Sequence, residues 1–438
     1  MVIRLLVAAV LVITPAVVPP PARAVTPPVV DSGFLPTPGP AAPPYATEPA
    51  GPCVTSSPAV SARLPDRPDL RSAWAVTRGA GQTVAVIDTG VARHRLLPNL
   101  VAGGDFVSAG DGTQDCDGHG TIVAGLIGAA PDQASGFSGI APEATIIGIR
   151  QSSSMFREVG GGAGVGDVDT LAAAVRLAAD LGATVINISS VACLAAGDTL
   201  DDRALGAALS YAVDVKNAVV VAAAGNVGGH GSCPKQNPVA TAGHAPDWER
   251  VDVVASPCWY DDQVLTVGSV RADGTASEYS LAGPWVDVAA PAEGVVSLDP
   301  VGEGLVDRAP DGDGTQPISG TSYAAPVVAG YVALLRSVAP HLTARQVMKR
   351  IEDTALPAAG GWNPHTGHGI VDLRGALDAV GTATPPPARP VAAVSPTAAQ
   401  DTHPGRIATA GAVLCLAVAM VSIATGRLRR RRHGIPLD

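Results

Sequence analysis

The sequence predicts an α/β protein, a mostly parallel sheet with helices on both faces, followed by one C-terminal transmembrane helix. Three observations carry that reading. Short β-rich apolar runs alternate with segments of helical period, the pattern of parallel strands joined by covering helices. Hydrophobic residues make up 47% and charged residues 16%, which excludes wholesale disorder and supplies a large core. Residues 407–426 form an uncharged run of 20 residues, enough at about 1.5 Å per residue to cross a hydrocarbon layer of roughly 30 Å.

Strands are expected at residues 83–88, 144–150, 183–189, 218–224, 264–270 and 286–290. Covering helices are expected at 122–127, 169–181, 200–217 and 321–338, separated from the strands by Gly, Asn or Pro. One more helix start is marked by Thr343 with Gln346 three residues on, a capping-box pattern ahead of Val347 and Ile351, which share a helix face. Residues 152–166, with Gly160-Gly161-Gly162 and Gly164, lack periodicity and are expected as a mobile surface loop.

The two ends carry membrane signals of different kinds. Arg4 precedes the apolar stretch 5–18, and Ala22-Arg23-Ala24 has the small-x-small form of a cleavage site, so residues 1–24 read as a signal peptide. Residues 25–70 form a Pro-rich arm, whose first half, 25–50, is expected to be extended rather than packed as regular elements. The globular domain spans 71–380, and a Pro/Ala-rich stalk, 381–406, leads to the membrane helix 407–426. The basic tail 427–438 follows at once, so the positive-inside rule puts it in the cytoplasm and residues 25–406 outside. The expected location is the cell membrane, with a single-pass anchor and an extracytoplasmic domain.

The net charge of −10 argues against a nucleic-acid partner, which needs clustered Lys and Arg on a folded face; the one dense basic cluster lies on the tail. Six cysteines fit an oxidising compartment. Cys415 falls in the membrane run, which leaves Cys53, Cys116, Cys193, Cys233 and Cys258, an odd set whose pairing the sequence leaves open. No Cys/His spacing suits a metal and no loop offers a clear calcium site, so neither metal nor cofactor is expected.

Four residues stand where chemistry could be done. Asp88, in Asp88-Thr89-Gly90, ends an apolar strand, and that end is where open α/β sheets build their sites, although an Asp before a Gly turn is ordinarily loop chemistry. His119, in Asp117-Gly118-His119-Gly120-Thr121, sits at a helix entrance between glycines that permit close backbone approach to a general base. Ser322, in Ser319-Gly320-Thr321-Ser322-Tyr323-Ala324-Ala325-Pro326, opens a helix; it could be a plain N-cap, but backbone N–H groups there also suit an oxyanion. Asn226, after Ala222-Ala223-Ala224-Gly225, ends a strand at the same end of the sheet as Asp88.

In that order the four motifs resemble those of the subtilisin-like serine peptidases, and Tyr279-Ser280-Leu281-Ala282-Gly283-Pro284 with the following residues to Pro291 looks like that family's segment before the nucleophile. The resemblance covers about residues 70–375. It implies a subtilisin-like fold, a triad of Asp88, His119 and Ser322, and Asn226 as an oxyanion donor. It also implies that Ser189, Ser190 and Val191 pair with substrate backbone and that Ala223, Ala224 and Gly225 wall the primary pocket, though this chain departs from the glycines many relatives carry after Ser190. The narrower resemblance is to mycosins, on the arm with Cys53, the Asp115-Cys116-Asp117-Gly118-His119 segment, Cys193, Cys233 in Gly231-Ser232-Cys233-Pro234, and the single C-terminal span. It implies disulfides Cys53–Cys116 and Cys193–Cys233, an arm that wraps the domain, protein substrates, and a place in a type VII secretion membrane complex, either as its protease or as a structural subunit. Cys258 departs from that pairing: it could remain free or compete for Cys233.

Overall fold

The computed structural model describes residues 25–378, apart from 56–59, 61–62, 65–66, 229–232, 240–244, 312–313 and 359. The expected signal peptide, the stalk 381–406, the membrane helix 407–426 with Cys415, and the basic tail lie outside the described residues. Among the described residues no helix is long and apolar enough to cross a membrane.

Seven strands form one parallel sheet: β1 (Thr83–Asp88), β2 (Leu100–Asp105), β3 (Thr145–Arg150), β4 (Val185–Ile188), β5 (Val219–Ala223), β6 (Val264–Val270) and β7 (Val288–Pro291). Their spatial order is β7-β6-β5-β4-β1-β3-β2. The chain leaves β1 on one side and returns to β4 on the other, so the order reverses between these two strands. Beyond their C-terminal ends lies the crevice where such sheets bind ligands. The central strands are buried almost throughout, as their Val/Ile/Ala runs require.

Among the described residues seven α-helices accompany the sheet: α1 (Pro68–Trp74), α2 (His119–Gly128), α3 (Val168–Asp180), α4 (Arg203–Ser210), α5 (Thr321–Val338), α6 (Ala344–Thr354) and α7 (Leu373–Asp378). Helices α2 and α5 pack together against the sheet, and α3 and α4 form a second pair. Helix α5 touches β1, β4, β5, β6 and β7, which makes it the central core element. Thr343 caps α6 as a capping box with Gln346, and Val347 and Ile351 are buried on one face. Helix α4 is shorter than the 200–217 expected and continues as a π-helical turn, Tyr211–Val215.

Strand β2 has no counterpart in the sequence expectation. It is a half-exposed edge carrying Gly103 and Gly104, so neither apolar density nor alternation marks it. The segment 152–166 corrects a second expectation. Instead of an aperiodic loop it forms antiparallel strands Ser153–Glu158 and Ala163–Val165, and the first also pairs with Thr47–Pro49 of the arm. Most of its residues are exposed or half-buried, so it carries no apolar period.

The arm is less featureless than expected, with a 3-10 turn at Ser32–Phe34 and the strand Thr47–Pro49. It is tied down along its length. Val25 N donates to Trp248 O at 3.0 Å. Phe34 lies under the Arg203 guanidinium, 4.0 Å from ring centroid to Cζ, and Pro36 O accepts from Arg176. Ala50 N donates to Met155 O at 2.8 Å, and Cys53 is disulfide-bonded to Cys116.

Candidate active site

Asp88 is the last residue of β1 and His119 the first of α2, and Asp88 Oδ1 lies 2.7 Å from His119 Nδ1. The aspartate side chain is 3% exposed and the imidazole 28%. Asp88 Oδ1 also accepts from Thr89 N at 2.8 Å, which fixes the carboxylate. Burial disfavours the imidazolium, but the Asp88 charge and hydrogen bond, with Asp115 and Asp117 behind them, outweigh it. The His119 pKa therefore lies above its ordinary 6.5.

The loop that presents His119 is organised by residues the sequence reading passed over. Asp115 accepts from Thr89 Oγ1, Gly118 N, Thr121 N and Thr121 Oγ1, at 2.6 to 2.8 Å. Withdrawal of this carboxyl from water still pushes its pKa up to about 6 against those bonds. Asp117 accepts from Ser154 N at 2.7 Å and Ser154 Oγ at 2.6 Å, linking the loop to the strand beside the arm. The available signal was an Asp followed by a Gly-rich helix entrance, an Asx-turn pattern. The flanking glycines have separate causes. Gly118 has φ +83°, and a Cβ on Gly120 would stand 2.0 Å from Gly90 O, so α2 could not approach the end of β1 with any side chain there.

Ser322 is the second residue of α5 and is 9% exposed. Asn226 Oδ1 accepts from Thr321 N and Thr321 Oγ1, both at 3.0 Å. With its oxygen so engaged, Asn226 turns its amide nitrogen toward Gly320: a Cβ there would lie 3.6 Å from Asn226 Nδ2 and 3.1 Å from Ser322 Oγ. Thr321 Oγ1 in turn accepts from Gly225 N at 3.1 Å, so one threonine couples the start of α5 to the end of β5. The Tyr323 ring sits 5.1 Å from that of His119, centroid to centroid.

Ser189 follows β4, is buried, and accepts from Asn187 Nδ2 at 2.9 Å. Ser190 and Val191 are half-buried; Ala223 is the last residue of β5, and Ala224 and Gly225 follow it. A Cβ on Gly225 would meet Cys233 Sγ at 2.9 Å and Val191 Cγ2 at 3.3 Å. Val191 and the Cys193–Cys233 disulfide thus narrow the gap between the two segments. Cys258 is a buried thiol donating to Ala223 O at 3.1 Å, its pKa pushed up to about 12 by burial, which leaves it unreactive. Among the described residues no group of three or more His, Cys, Asp or Glu side chains could hold a metal ion.

Residues 79–369 match the subtilase family profile. The chain is 54% identical to Mycosin-4 of Mycobacterium tuberculosis over 100% of its own length and 99% of that protein. Among solved structures it superposes on the MycP3 protease from the type VII (ESX-3) secretion system with a TM-score of 0.75 and 46% identity, covering 81% of this chain and 99% of that one. A second similar structure is a chain in the periplasmic assembly from the ESX-5 inner membrane complex, with a TM-score of 0.74 and 38% identity over 87% of this chain and 100% of that one. The chain belongs to the subtilase family and, within it, to the mycosins, and is a subtilisin-like serine endopeptidase.

Proposed function

We propose that this chain cleaves peptide bonds of exported proteins at the outer face of the cytoplasmic membrane, using Asp88, His119 and Ser322 as a catalytic triad. Ser322 Oγ attacks the scissile carbonyl while His119 takes its proton and then gives it to the leaving amine. Water repeats the sequence on the acyl-enzyme. Asp88 holds the imidazole with Nδ1–H toward itself and stabilises its cation. Asn226 Nδ2 and the Ser322 N–H stabilise the oxyanion. Ser189, Ser190 and Val191 pair with substrate backbone, and Ala223, Ala224 and Gly225 wall the primary pocket. The observation that carries this reading is the 2.7 Å Asp88–His119 contact, set beside a serine at a helix start and an amide turned toward it.

Association with a type VII secretion complex at the membrane is the second part of the proposal, supported by similarity to chains solved from such systems. Anchoring through residues 407–426 agrees with it, and the Cys53–Cys116 and Cys193–Cys233 bonds suit an extracytoplasmic domain. Because one similar chain is part of a membrane-complex assembly, a structural role separable from proteolysis is the rival reading. Comparing Ser322→Ala with deletion of the whole chain tests both parts. Ser322→Ala is expected to abolish cleavage, with a fall in kcat of about 10⁶-fold. Export lost only on deletion would assign the structural role, and cleavage surviving in Ser322→Ala would remove the nucleophile.

A further inference from the structure

We propose that the cavity beside His119 receives the side chain of the residue that follows the scissile bond, and that the N-terminal arm supplies one of its walls; this rests on the triad assignment above. The cavity measures about 240 Å³ and its lining includes His119, Ile122 and Tyr323, Val54 of the arm, Met155 of the strand paired with the arm, and Val306. A peptide lying across Ser322 has its acyl half along Ser189–Val191 and Ala223–Gly225. Its leaving half must pass over the imidazole that returns the proton to the departing nitrogen. Tyr323, next in sequence to the nucleophile, turns its ring toward that imidazole and forms part of this cavity.

The lining selects the ligand. Ile122, Val306, Val54, Met155 and the tyrosine ring present apolar surface that outweighs the charged Asp117 and Arg308 also lining the cavity, so a leucine- or phenylalanine-sized side chain fits where glycine leaves the space unfilled. The arm wall is fixed rather than mobile. Val54 N donates to Cys116 O at 2.9 Å, Ala50 N donates to Met155 O at 2.8 Å, and Cys53 is bonded to Cys116. On this geometry the arm takes part in choosing where a chain is cut.

Acyl transfer reads this subsite separately from the rest of the site. The full chain is acylated by a peptide p-nitrophenyl ester, whose leaving group carries no amino acid, and deacylation is followed with glycine, leucine or phenylalanine amide present. The amine nitrogen adds to the ester carbonyl, the C–N bond forms as the C–Oγ bond breaks, and the amine proton passes through His119 to Ser322 Oγ. Leucine and phenylalanine amides are expected to be captured at least about tenfold better than glycine amide. Val54→Thr and Met155→Gln keep side-chain size but set a polar atom against the apolar wall. Each is expected to lower the leucine-to-glycine ratio about fivefold or more. Taking the ratio within one variant removes any change in its overall rate, and circular dichroism checks folding. A wild-type ratio near one, or ratios unmoved in both folded variants, overturns the proposal. Failure of the ester to acylate and of a fluorophosphonate probe to label Ser322 would instead sink the triad assignment, and this inference with it.

Discussion

Ser322 and His119, the proposed nucleophile and base, are held in different ways. Ser322 rides on α5, which is buried continuously from Thr321 to Arg336 and packs on five strands of the sheet. His119 stands at the rim, 28% exposed, on a loop pinned by Asp115, by Asp117 and by a disulfide to the arm. Apolar packing fixes the serine, and local polar and covalent ties fix the histidine. The contrast teaches that the serine's position is lost with the fold as a whole, whereas the histidine's can be perturbed while the fold stands.

Among changes that leave both Ser322 and His119 in place, breaking the histidine's contact with Asp88 has the largest effect. Asp88→Asn is expected to reduce kcat by about 10⁴-fold, since it imposes the wrong imidazole tautomer without displacing the ring. Its pH profile sharpens the point. Because His119 titrates above 6.5, the acid limb of kcat/KM in the wild-type chain lies above that value, where the imidazole becomes neutral. Removing the Asp88 charge moves the limb down. The stability that the pair contributes runs the other way: it is fully present below the unfolded histidine's pKa and fades as pH rises through the raised folded value. A limb that stays put in Asp88→Asn would mean that Asp88 does not set the His119 pKa.

On the serine side, Asn226→Ala is expected to lower kcat by about 10² to 10³, with KM changed far less. Unchanged turnover would take Asn226 out of the oxyanion site. Next, Leu334→Ala probes the packing that carries Ser322: Leu334 is fully buried in α5, and truncation there should cost about 2–5 kcal/mol in a denaturant titration. A loss well under 1 kcal/mol would show that α5 is not the central element of the core. The smallest effect on chemistry is expected from the double change Cys53→Ser, Cys116→Ser. Turnover should stay within about tenfold, or roughly 1.4 kcal/mol of barrier, because Cys116 supplies no reacting group. Complete inactivity in a folded double variant would show that the covalent tie, and not only the polar one, sets the base.

The same contrast explains what the sequence disclosed. Helix α5 is found with the bounds its apolar period indicates, Thr321–Val338, and β1 and β6 likewise, because burial leaves a periodic or continuous apolar trace. The His119 side left little trace. Asp115 looks like any loop aspartate until Thr89 and Thr121 are folded around it. The strand Ser153–Glu158 depends on pairing with Thr47–Pro49 more than a hundred residues away. Edge strand β2, half-exposed and interrupted by Gly103-Gly104, carries no pattern to read. Candidate residues could be named from motif order, but the network that positions them is long-range and polar, and no local period encodes it.

The Cys53–Cys116 bond, spanning a sequence separation of 63, also changes what a break in the chain would do. A peptide bond cut anywhere between those two cysteines would yield two pieces still joined through sulfur, and the arm could not diffuse from the histidine loop. Such a nick would be silent on a non-reducing gel and would appear as two bands only after reductant. Under proteolysis, the arm is in effect a part that can be cut but not lost.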